Sequence, residues 1–503
     1  MPVLKKYLLW LLFLSGNCMS VCAQFDDTGQ SAINNSQILL PVTPNGFPSD
    51  TINYWSLEDS VFTIRNIYIL GNKVTRRVIM LRELPFQEGD SVNVKDLPRL
   101  FTEAQTRLLN LSLFSRSVKD FSIQVLDVEG AFMDIAISVK ERWYLLPAPH
   151  LKPVDRSMSD WLFNNKAQIS RLDYGIKLSY NNVSGNNDKL RFNFITGYTK
   201  QLQLSYSRPY IDSQLKWGIN LSLSLGKTHE VNTGTLMNNK PDFIGGGSSK
   251  YLRNFFKGAV ELTYRPKFYT VHTFGLGYQT LRVGDTVLKR NPNFFRKDVT
   301  SVKYPEVYYK LVYRNLDNIS YPTKGYAAEL FASKIGFNSK MNVWHFTTKG
   351  IGYWHLGNPK TFYSISALGS LKLPQKQPFY NSQLLGYGDL TMSGYEYYVI
   401  DGSAGGLIKS TLAKQIANFS INPPIFKKRL ASLIPLKIYG KVFSNTGYAH
   451  NPQPWATSLN NRMLYGWGVG LDIFTDYDFT LRLEFSFNHL GESRFYSEKK
   501  TIF

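Results

Sequence analysis

FTLRLEFSF, residues 479–487, alternates without interruption between large apolar side chains and polar ones. Phenylalanine and leucine occupy the odd positions, whereas threonine, arginine, glutamate and serine occupy the even positions. Because successive side chains of a β-strand point to opposite faces, the stretch predicts a strand with one apolar and one polar face.

The same period of two recurs from residue 143 to residue 503, for example in WGINLSLSLG (217–226) and YGWGVGLDI (465–473). Two architectures produce it: a sandwich buries the apolar faces against each other, whereas a transmembrane barrel turns them to lipid and keeps a polar lumen. Glycines and charges on the polar face favour the barrel, and so does an aromatic content of 15%. The length allows roughly 22 residues for each strand and its connection. The sequence therefore predicts a transmembrane antiparallel β-barrel of about 16 strands over residues 143–503.

The first 23 residues have the layout of a secretory signal peptide. Two lysines at positions 5 and 6 precede the apolar run Leu8–Leu14, which is too short to cross a bilayer, and Val21-Cys22-Ala23 supplies a cleavage site. Both cysteines of the chain lie in this segment, which excludes a disulfide or a cysteine-based metal site in the mature protein. Residues 24–60 are polar and irregular and are predicted to form a flexible leader.

The charge balance is strongly basic, with 58 Lys and Arg against 37 Asp and Glu. Nucleic acid is not an expected partner, because an exported chain rarely meets it. Two interpretations stay open: contact with outer-membrane lipid head groups or lipopolysaccharide, or a solvated lumen and loops rich in lysine and arginine.

Residues 62–142 change from the period of two to a mixed pattern. FTIRNIYIL (62–70) reads as a strand, and SVKDFSIQVLD (117–127) and AFMDIAISVKE (131–141) read as two more. Two helices are predicted between the first strand and the second. The apolar face of the first is Val74, Val78, Leu81 and Leu84, and that of the second, Val94–Asn110, is Leu97, Leu100, Phe101, Leu108 and Leu109. The order β-α-α-β-β predicts a small α+β domain.

Signatures of catalysis are missing from the sequence. There is no G-x-S-x-G, no H-E-x-x-H, no P-loop and no G-x-G-x-x-G after a strand. The seven histidines are scattered without metal-ligand spacing. We therefore expect neither an enzyme nor a cofactor or metal site.

Four motifs occur in a fixed order along the chain. They are IYILGNKVT (67–75), LLNLSLF (108–114), YRNLDNISYPTKGY (313–326) and GYGDLTMSGYEYYVIDGSAGG (386–406). They resemble the outer-membrane insertase superfamily of BamA and TamA, in a Bacteroidota-like form. The terminal aromatic residue, Phe503, is typical of outer-membrane barrels. The resemblance implies a POTRA-like periplasmic domain over residues 62–142 and a barrel in the bacterial outer membrane. In the third motif, Arg314, Asp317, Pro322 and Gly325 match the family's strand-and-turn pattern R-x-x-D-N-x-x-x-P-x-x-G.

The fourth motif resembles the family's long inward loop, whose tip carries V/L-R-G-Y/F. Met392, Ser393, Gly394 and Tyr395 align with it, so that Ser393 stands where the family has arginine. The family's arginine pairs with an acidic residue of the barrel wall, in a strand that FSNTG (443–447) resembles. That alignment places Asn445, or its neighbour Ser444, at the acidic position. We expect a neutral, hydrogen-bonded pair here, because an unpaired buried charge is costly.

The resemblance implies assembly, insertion or translocation of envelope cargo, without covalent chemistry. Expected partners are unfolded outer-membrane proteins or other cargo, a periplasmic chaperone or a TamB-like protein. A single POTRA domain suggests an accessory or specialised member, and a passive pore or adhesin is the alternative. The last segment, SRFYSEKKTIF (493–503), alternates poorly, so we expect it to pair weakly with the first barrel strand. Alternatively, residues 479–487 form the last strand and the tail is frayed.

Overall fold

An N-terminal domain and a large antiparallel sheet make up the part of the chain that the computed structural model describes. The described residues are 60–116, 120–154, 161–162, 166–245, 250–296, 299–421, 434–452, 457–475 and 479–499. The predicted signal peptide, the leader up to residue 59 and Phe503 lie outside them. None of the described helices is long and apolar enough to cross a membrane.

The N-terminal domain packs two helices against a four-stranded sheet of order β2-β1-β4-β3. Strands β1 and β4 pair in parallel, and the other two pairings are antiparallel. The elements are β1 Val61–Leu70, α1 Arg77–Leu81, β2 Ser91–Asn93, α2 Leu97–Asn110, β3 Phe121–Glu129 and β4 Phe132–Val139. The core between the layers includes Ile64, Ile79, Met80, Leu108 and Ile135, all at most 1% exposed.

The first helix differs from its prediction. It has only five residues, Arg77–Leu81, and Val74 and Val78 are exposed. Ile79 and Met80 are buried instead, because the chain before Arg77 is extended and the helical period therefore starts later than the sequence pattern suggests. The three-residue strand β2 was not predicted, since alternation cannot be recognised over so short a stretch.

The second helix confirms its predicted face. Leu97 and Leu108 are buried, and Leu100, Phe101 and Leu109 pack against the same core.

Sixteen described strands form one antiparallel sheet, which confirms the predicted barrel architecture. In sheet order from the first to the last, they are β5 Leu145–Pro153, β6 Leu172–Asn181, β7 Lys189–Gly197, β8 Thr199–Arg208, β9 Trp217–Thr228, β12 Arg253–Tyr264, β13 Thr270–Val283, β14 Ser301–Leu316, β15 Gly325–Ile335, β16 Val343–Leu356, β17 Asn358–Leu373, β20 Ala404–Ile421, β21 Ile434–His450, β22 Met463–Thr475, β23 Phe479–Asn488 and β24 Ser493–Lys499. Thus Ser493–Lys499 is a paired strand and not a frayed tail. Over the described residues no ladder joins β5 to β24.

The two faces of the sheet follow the sequence alternation. Trp467 and Val469 are 49% and 53% exposed on the outer face, whereas the charged positions Asp472 and Glu484 are buried on the inner face. Ile473 is an exception, since it is an outer-face residue that is buried in a small cluster with Leu436 and Leu481. An apolar outer face and a polar inner face are the arrangement of a barrel in lipid.

One mouth of the barrel, here called the near side, is contacted by the N-terminal domain. The carboxylate of Glu83, which is 2% exposed, accepts hydrogen bonds from Nη1 and Nη2 of Arg265, in the β12–β13 turn, at 2.6 and 2.9 Å. The hydroxyl of Tyr210 donates to the same carboxylate at 3.2 Å. Asn110, at the end of α2, bonds the β14–β15 turn through Leu316 O and Ile319 N, at 3.2 and 3.3 Å. The domain is therefore held by a buried ion pair and by backbone bonds to the turns.

The opposite mouth, here called the far side, is covered by a lid of loops. The lid contains β10 Glu230–Thr235, β11 Pro241–Gly245 and α3 Asp285–Arg290. Its apolar residues, which include Val231, Val287 and Phe295, form one core with strand residues of the wall such as Leu281 and Val302.

The lumen loop and its contacts with the barrel wall

The connection between β17 and β20 enters the lumen from the far side. It contains α4 Phe379–Ser382, β18 Gln383–Leu385 and β19 Ile400–Asp401, which pairs with β18. Its tip, Met392–Tyr395, contacts inner-face side chains of β21 and β23 and the backbone of β22. We call residues 374–403 the lumen loop.

Ser393, at the tip, is hydrogen-bonded to a carboxylate of the wall. Its Oγ donates to Glu484 Oε2 on β23 at 3.0 Å, and its carbonyl oxygen accepts from Asn445 Nδ2 at 3.3 Å. The expected proximity of Ser393 and Asn445 is thus present, but the contact uses the Ser393 backbone. Ser444 is exposed on the outer face, because neighbouring strand residues point to opposite sides, so its choice as a wall partner was wrong.

The expected neutral hydrogen bond between Ser393 and Asn445 is present through the Ser393 backbone, but the Ser393 side chain bonds a carboxylate and the site around it is charged. Lys441 Nζ lies 2.7 Å from Asp472 Oδ1 and 2.7 Å from Glu484 Oε1, and its side chain is 3% exposed. Arg482 Nε lies 3.3 and 3.4 Å from the same two oxygens. Two cations therefore balance two carboxylates, and both cations come from the wall instead of the loop. We call these four residues the lumen charge cluster.

Sequence reasoning missed the lumen charge cluster, although its members occupy inward positions of recognised strands. Arg482 and Glu484 are two of the polar positions in FTLRLEFSF, and Asp472 ends the alternation of YGWGVGLDI. A charge on the inward face of a predicted barrel strand is the signal that could have indicated them.

Glycines on the inner face of β22 make room for these contacts. A Cβ on Gly466 would lie 2.4 Å from the Ser393 carbonyl oxygen. A Cβ on Gly470 would lie 2.9 Å from Lys441 Cε, which crosses this position to reach Glu484. The alternating glycines of YGWGVGLDI therefore allow the loop backbone and a lysine side chain to lie directly on the wall.

The other three tip residues are fixed by packing and backbone geometry. Gly394 has φ +89, and its carbonyl accepts from Asn488 Nδ2 at 2.8 Å. A side chain there would be strained and would lie 2.8 Å from the Phe487 carbonyl oxygen. Tyr395 is buried and bonds the Tyr465 carbonyl at 3.3 Å and the ring of His489. Met392 is buried in the apolar cluster of the loop.

Three of the four residues of the predicted turn motif, Asp317, Pro322 and Gly325, lie at the β14–β15 connection on the near side. The Asp317 carboxylate accepts from Thr323 N at 3.0 Å and from Lys324 N at 3.1 Å. Pro322 is buried, and Gly325 has φ +113 with no space for a Cβ beside the Asn315 carbonyl. Arg314 precedes the turn within β14, where its backbone N–H bonds Tyr269 O at 2.8 Å.

The same turn sends Tyr321 into the lumen. Its hydroxyl donates to Asp472 Oδ2 at 3.1 Å, and its ring lies 4.6 Å from that of Tyr439 and 5.5 Å from that of Phe474. A continuous series of contacts therefore leads from Asn110 of the N-terminal domain, through this turn and the lumen charge cluster, to Ser393 of the lumen loop.

Two cavities of about 580 and 220 Å³ lie between the lumen loop and the wall. Both are lined by Asp389 of the loop and by Glu329 and Lys349 of the wall. Within the described residues no group of three or more His, Asp or Glu side chains could hold a metal ion.

These features define a class of protein: a membrane β-barrel whose lumen holds a long loop and whose N-terminal domain docks at one mouth. Residues 182–496 match the family model described as Omp85 superfamily domain. Residues 62–142 match the POTRA model, described as surface antigen variable number repeat. The chain belongs to the Omp85 superfamily, whose barrels reside in the bacterial outer membrane with periplasmic POTRA domains. No curated protein was found to match the chain.

Solved structures similar to this chain have low sequence identity to it. CdiB from Escherichia coli is 12% identical over 88% of this chain and 76% of its own, with a TM-score of 0.53. BamA from Haemophilus ducreyi lacking POTRA domains 1–3 is 15% identical over 87% of this chain and 83% of its own, with a TM-score of 0.48. CdiB from Acinetobacter baumannii is 12% identical over 87% and 73%, with a TM-score of 0.46.

Proposed function

We propose that this protein inserts or translocates envelope cargo at the bacterial outer membrane, as an accessory or specialised member of its family and without enzymatic chemistry. Its POTRA domain would face the periplasm and its far side the cell exterior. The observation that carries the proposal is the seam between β5 and β24, where the described strands form no ladder. The lumen loop, which fills part of the interior, argues against a passive pore.

The sequence of β5 accounts for the missing ladder between its described residues and those of β24. Val154 N bonds Arg171 O at 3.0 Å, and Tyr144 O accepts from Asn181 N at 2.8 Å, so the even residues of β5 direct their backbone groups towards β6. The odd residues therefore direct theirs towards the seam. Pro147, Pro149 and Pro153 are odd and have no N–H, which leaves Leu145 and Leu151 as the seam-facing donors of the strand. A complete ladder with β24 cannot form along this edge.

Client contact would begin at the POTRA domain. Its sheet ends in β3 on one side and in β2 on the other, and β3 has nine residues whereas β2 has three. An edge strand of that length can bind an extended segment by adding a strand to the sheet. Unfolded outer-membrane proteins, delivered by a chaperone or a TamB-like partner, are the cargo that this edge would suit.

The decisive experiment closes the seam covalently. Single cysteines at Leu145 or Leu151 of β5 are combined with cysteines at Ser493 or Ser497 of β24, and the pair that oxidises is selected. The chain has no cysteine after residue 22, so the added thiols cannot mispair with native ones. A control pair at Leu204 and Leu223, which face each other on β8 and β9, forms a disulfide away from the seam.

Each variant is expressed in cells depleted of the wild type, and the outer-membrane proteome is quantified with and without reductant. We expect the seam-locked protein to fail and to recover on reduction, while the control disulfide has no effect. Normal outer-membrane composition with an oxidised seam would refute passage or templating there. Large, stable, ungated conductance in planar bilayers would instead support the passive pore.

A further inference from the structure

Three cations lie on a single row across the outer face, close to the far side. The row runs through neighbouring strands β8, β9, β12, β13 and β14, with Lys200 opposite Lys227, Lys227 opposite Asn254, Asn254 opposite Arg282, and Arg282 opposite Ser301. Lys200, Lys227 and Arg282 are exposed. They share the face of Leu204, Leu225 and Phe256, which are exposed apolar residues of the same strands. We call this set the cationic row.

The rows next to it, towards the near side, are mainly apolar. The first consists of Leu202, Leu225, Phe256, Thr280 and Lys303, and the second of Leu204, Leu223, Gly258, Tyr278 and Pro305. A groove of about 780 Å³ lies along the cationic row and the first of these rows. From the first apolar row to the cationic row, which is the next row towards the far side, the outer face thus changes from mainly apolar side chains to cations.

The charges of the row are not compensated by the protein. The residues that line the groove include Lys200, Lys227, Arg282 and Lys303 and no Asp or Glu. In the described part of the chain none of these four forms an ion pair with a carboxylate. Lys200 and Lys227 face each other directly across two strands, an arrangement of like charges that is destabilising by itself. Their Nζ atoms lie 5.6 and 5.9 Å from the ring centre of Tyr251, so both ammonium groups make a cation–π contact with the same ring.

We propose that the cationic row binds the phosphorylated head group of an anionic lipid in the outer leaflet, with its acyl chains on the apolar rows below. A phosphate between Lys200 and Lys227 would remove their repulsion, and Arg282 would add planar, paired donors suited to phosphate oxygens. Lys303, one row lower, has a stem long enough to extend to the head-group level. The proposal rests on the orientation of the barrel in the outer membrane and not on the proposed cargo role.

Charge complementarity singles out a phosphate-bearing lipid among the molecules that meet this surface. A zwitterionic lipid brings a cation to the row, and an uncharged amphiphile leaves the lysine pair without a counter-ion. A free phosphate lacks the acyl chains that cover the apolar rows, which lie in the hydrocarbon region.

The test measures lipid retained by the full-length protein. Wild type is purified in detergent, mixed with diphosphoryl lipid A, washed and examined by native mass spectrometry. The row variant is Lys200→Gln/Lys227→Gln/Arg282→Gln. The matched control, Lys240→Gln/Lys289→Gln/Lys340→Gln, removes the same charge from exposed lid and loop positions on the far side. Since each surface cation contributes about 1 kcal/mol to binding an anionic lipid, removing all three should weaken lipid binding by roughly a hundredfold, with the control unchanged.

Two further measurements make the outcome decisive. The Lys200→Arg/Lys227→Arg variant keeps the charges and should retain the lipid as wild type does, which separates loss of binding from misfolding. Dephosphorylated lipid with the same acyl chains should bind wild type and the row variant equally weakly. The proposal is overturned if the row variant retains as much diphosphoryl lipid as wild type does. Displacement of the lipid by equimolar inorganic phosphate would also refute it, since the site would then be one for a free anion.

Discussion

Exchanging charge between the loop tip and the wall tests whether Lys441 has taken the place of the loop arginine. Lys441→Met removes a cation that touches two buried carboxylates at 2.7 Å. Breaking a buried ion pair costs about 3–5 kcal/mol, and the remaining contacts of Arg482 with the same carboxylates place the expected loss at about 3 kcal/mol.

Ser393→Arg alone should destabilise the barrel for the opposite reason. It replaces the short hydroxyl that donates to Glu484 with a third cation, next to a lysine that is already buried. The added side chain must also fit beside Gly466, where the wall is in close contact with the loop. Overpacking of this kind costs about 1–3 kcal/mol.

The double variant Ser393→Arg/Lys441→Met restores two cations against two carboxylates and empties the space that the lysine side chain occupied. We expect the two single losses to be coupled, so that the double variant is about 2 kcal/mol more stable than their sum. Lys349→Met is the matched control, because that lumen lysine pairs with a carboxylate, Asp389, that is 77% exposed, and its loss should cost at most about 1 kcal/mol.

Stability is measured by urea unfolding in lipid vesicles, followed by tryptophan fluorescence and by the gel shift of the folded barrel. Strictly additive losses in the double variant would refute the reasoning. They would mean that the loop position and the wall lysine do not serve the same carboxylates.

Four further predictions follow from individual contacts. Gly466→Ala should expose the lumen loop to protease and cost about 1–3 kcal/mol, whereas Gly350→Ala, with open space around its Cβ, should have little effect. Pro147→Val/Pro149→Val adds two seam-facing donors, so cysteine cross-linking between β5 and β24 should become faster; an unchanged rate would contradict the explanation of the open seam. Glu83→Gln should free the POTRA domain for proteolytic release at a cost of about 3 kcal/mol, while Glu88→Gln, at an exposed pair with Arg77, should not. Hydrogen bonds from Arg65 hold the pKa of Asp134 below its usual range, so the POTRA domain should lose stability as the pH falls below roughly 4, and Arg65→Gln should flatten that dependence in acid titrations.

The strands of the barrel were predictable because lipid imposes a separate requirement on each residue of the outer face. Leu221 and Leu223 must be apolar whatever their neighbours are, and the period of two is therefore visible in the sequence alone. Helix α1 was less predictable, since a five-residue helix has too few turns to establish a period, and its buried residues are fixed by packing on β1.

The lumen charge cluster could not be predicted as a set. Lys441, Asp472 and Glu484 lie on three strands, and their contact depends on the register that sets Lys441 beside Gly470 and Gly470 beside Glu484. Local sequence specifies which of these residues point inwards but not which of them meet. The alignment with the family motif pointed to Asn445, which does bond Ser393, yet it could not reveal that the acid, Glu484, comes from β23, two strands away.

The prolines of β5 make the two edges of the seam unequal in their backbone hydrogen-bond donors. An open sheet has two ends at which a further strand can add, but on β5 only Leu145 and Leu151 can donate hydrogen bonds to a newcomer. Strand β24 ends the sheet on the other side without a proline in Ser493–Lys499. The two edges are therefore unequal: in the proposed insertion role, an incoming strand would find a complete row of backbone donors on β24 and only two on β5.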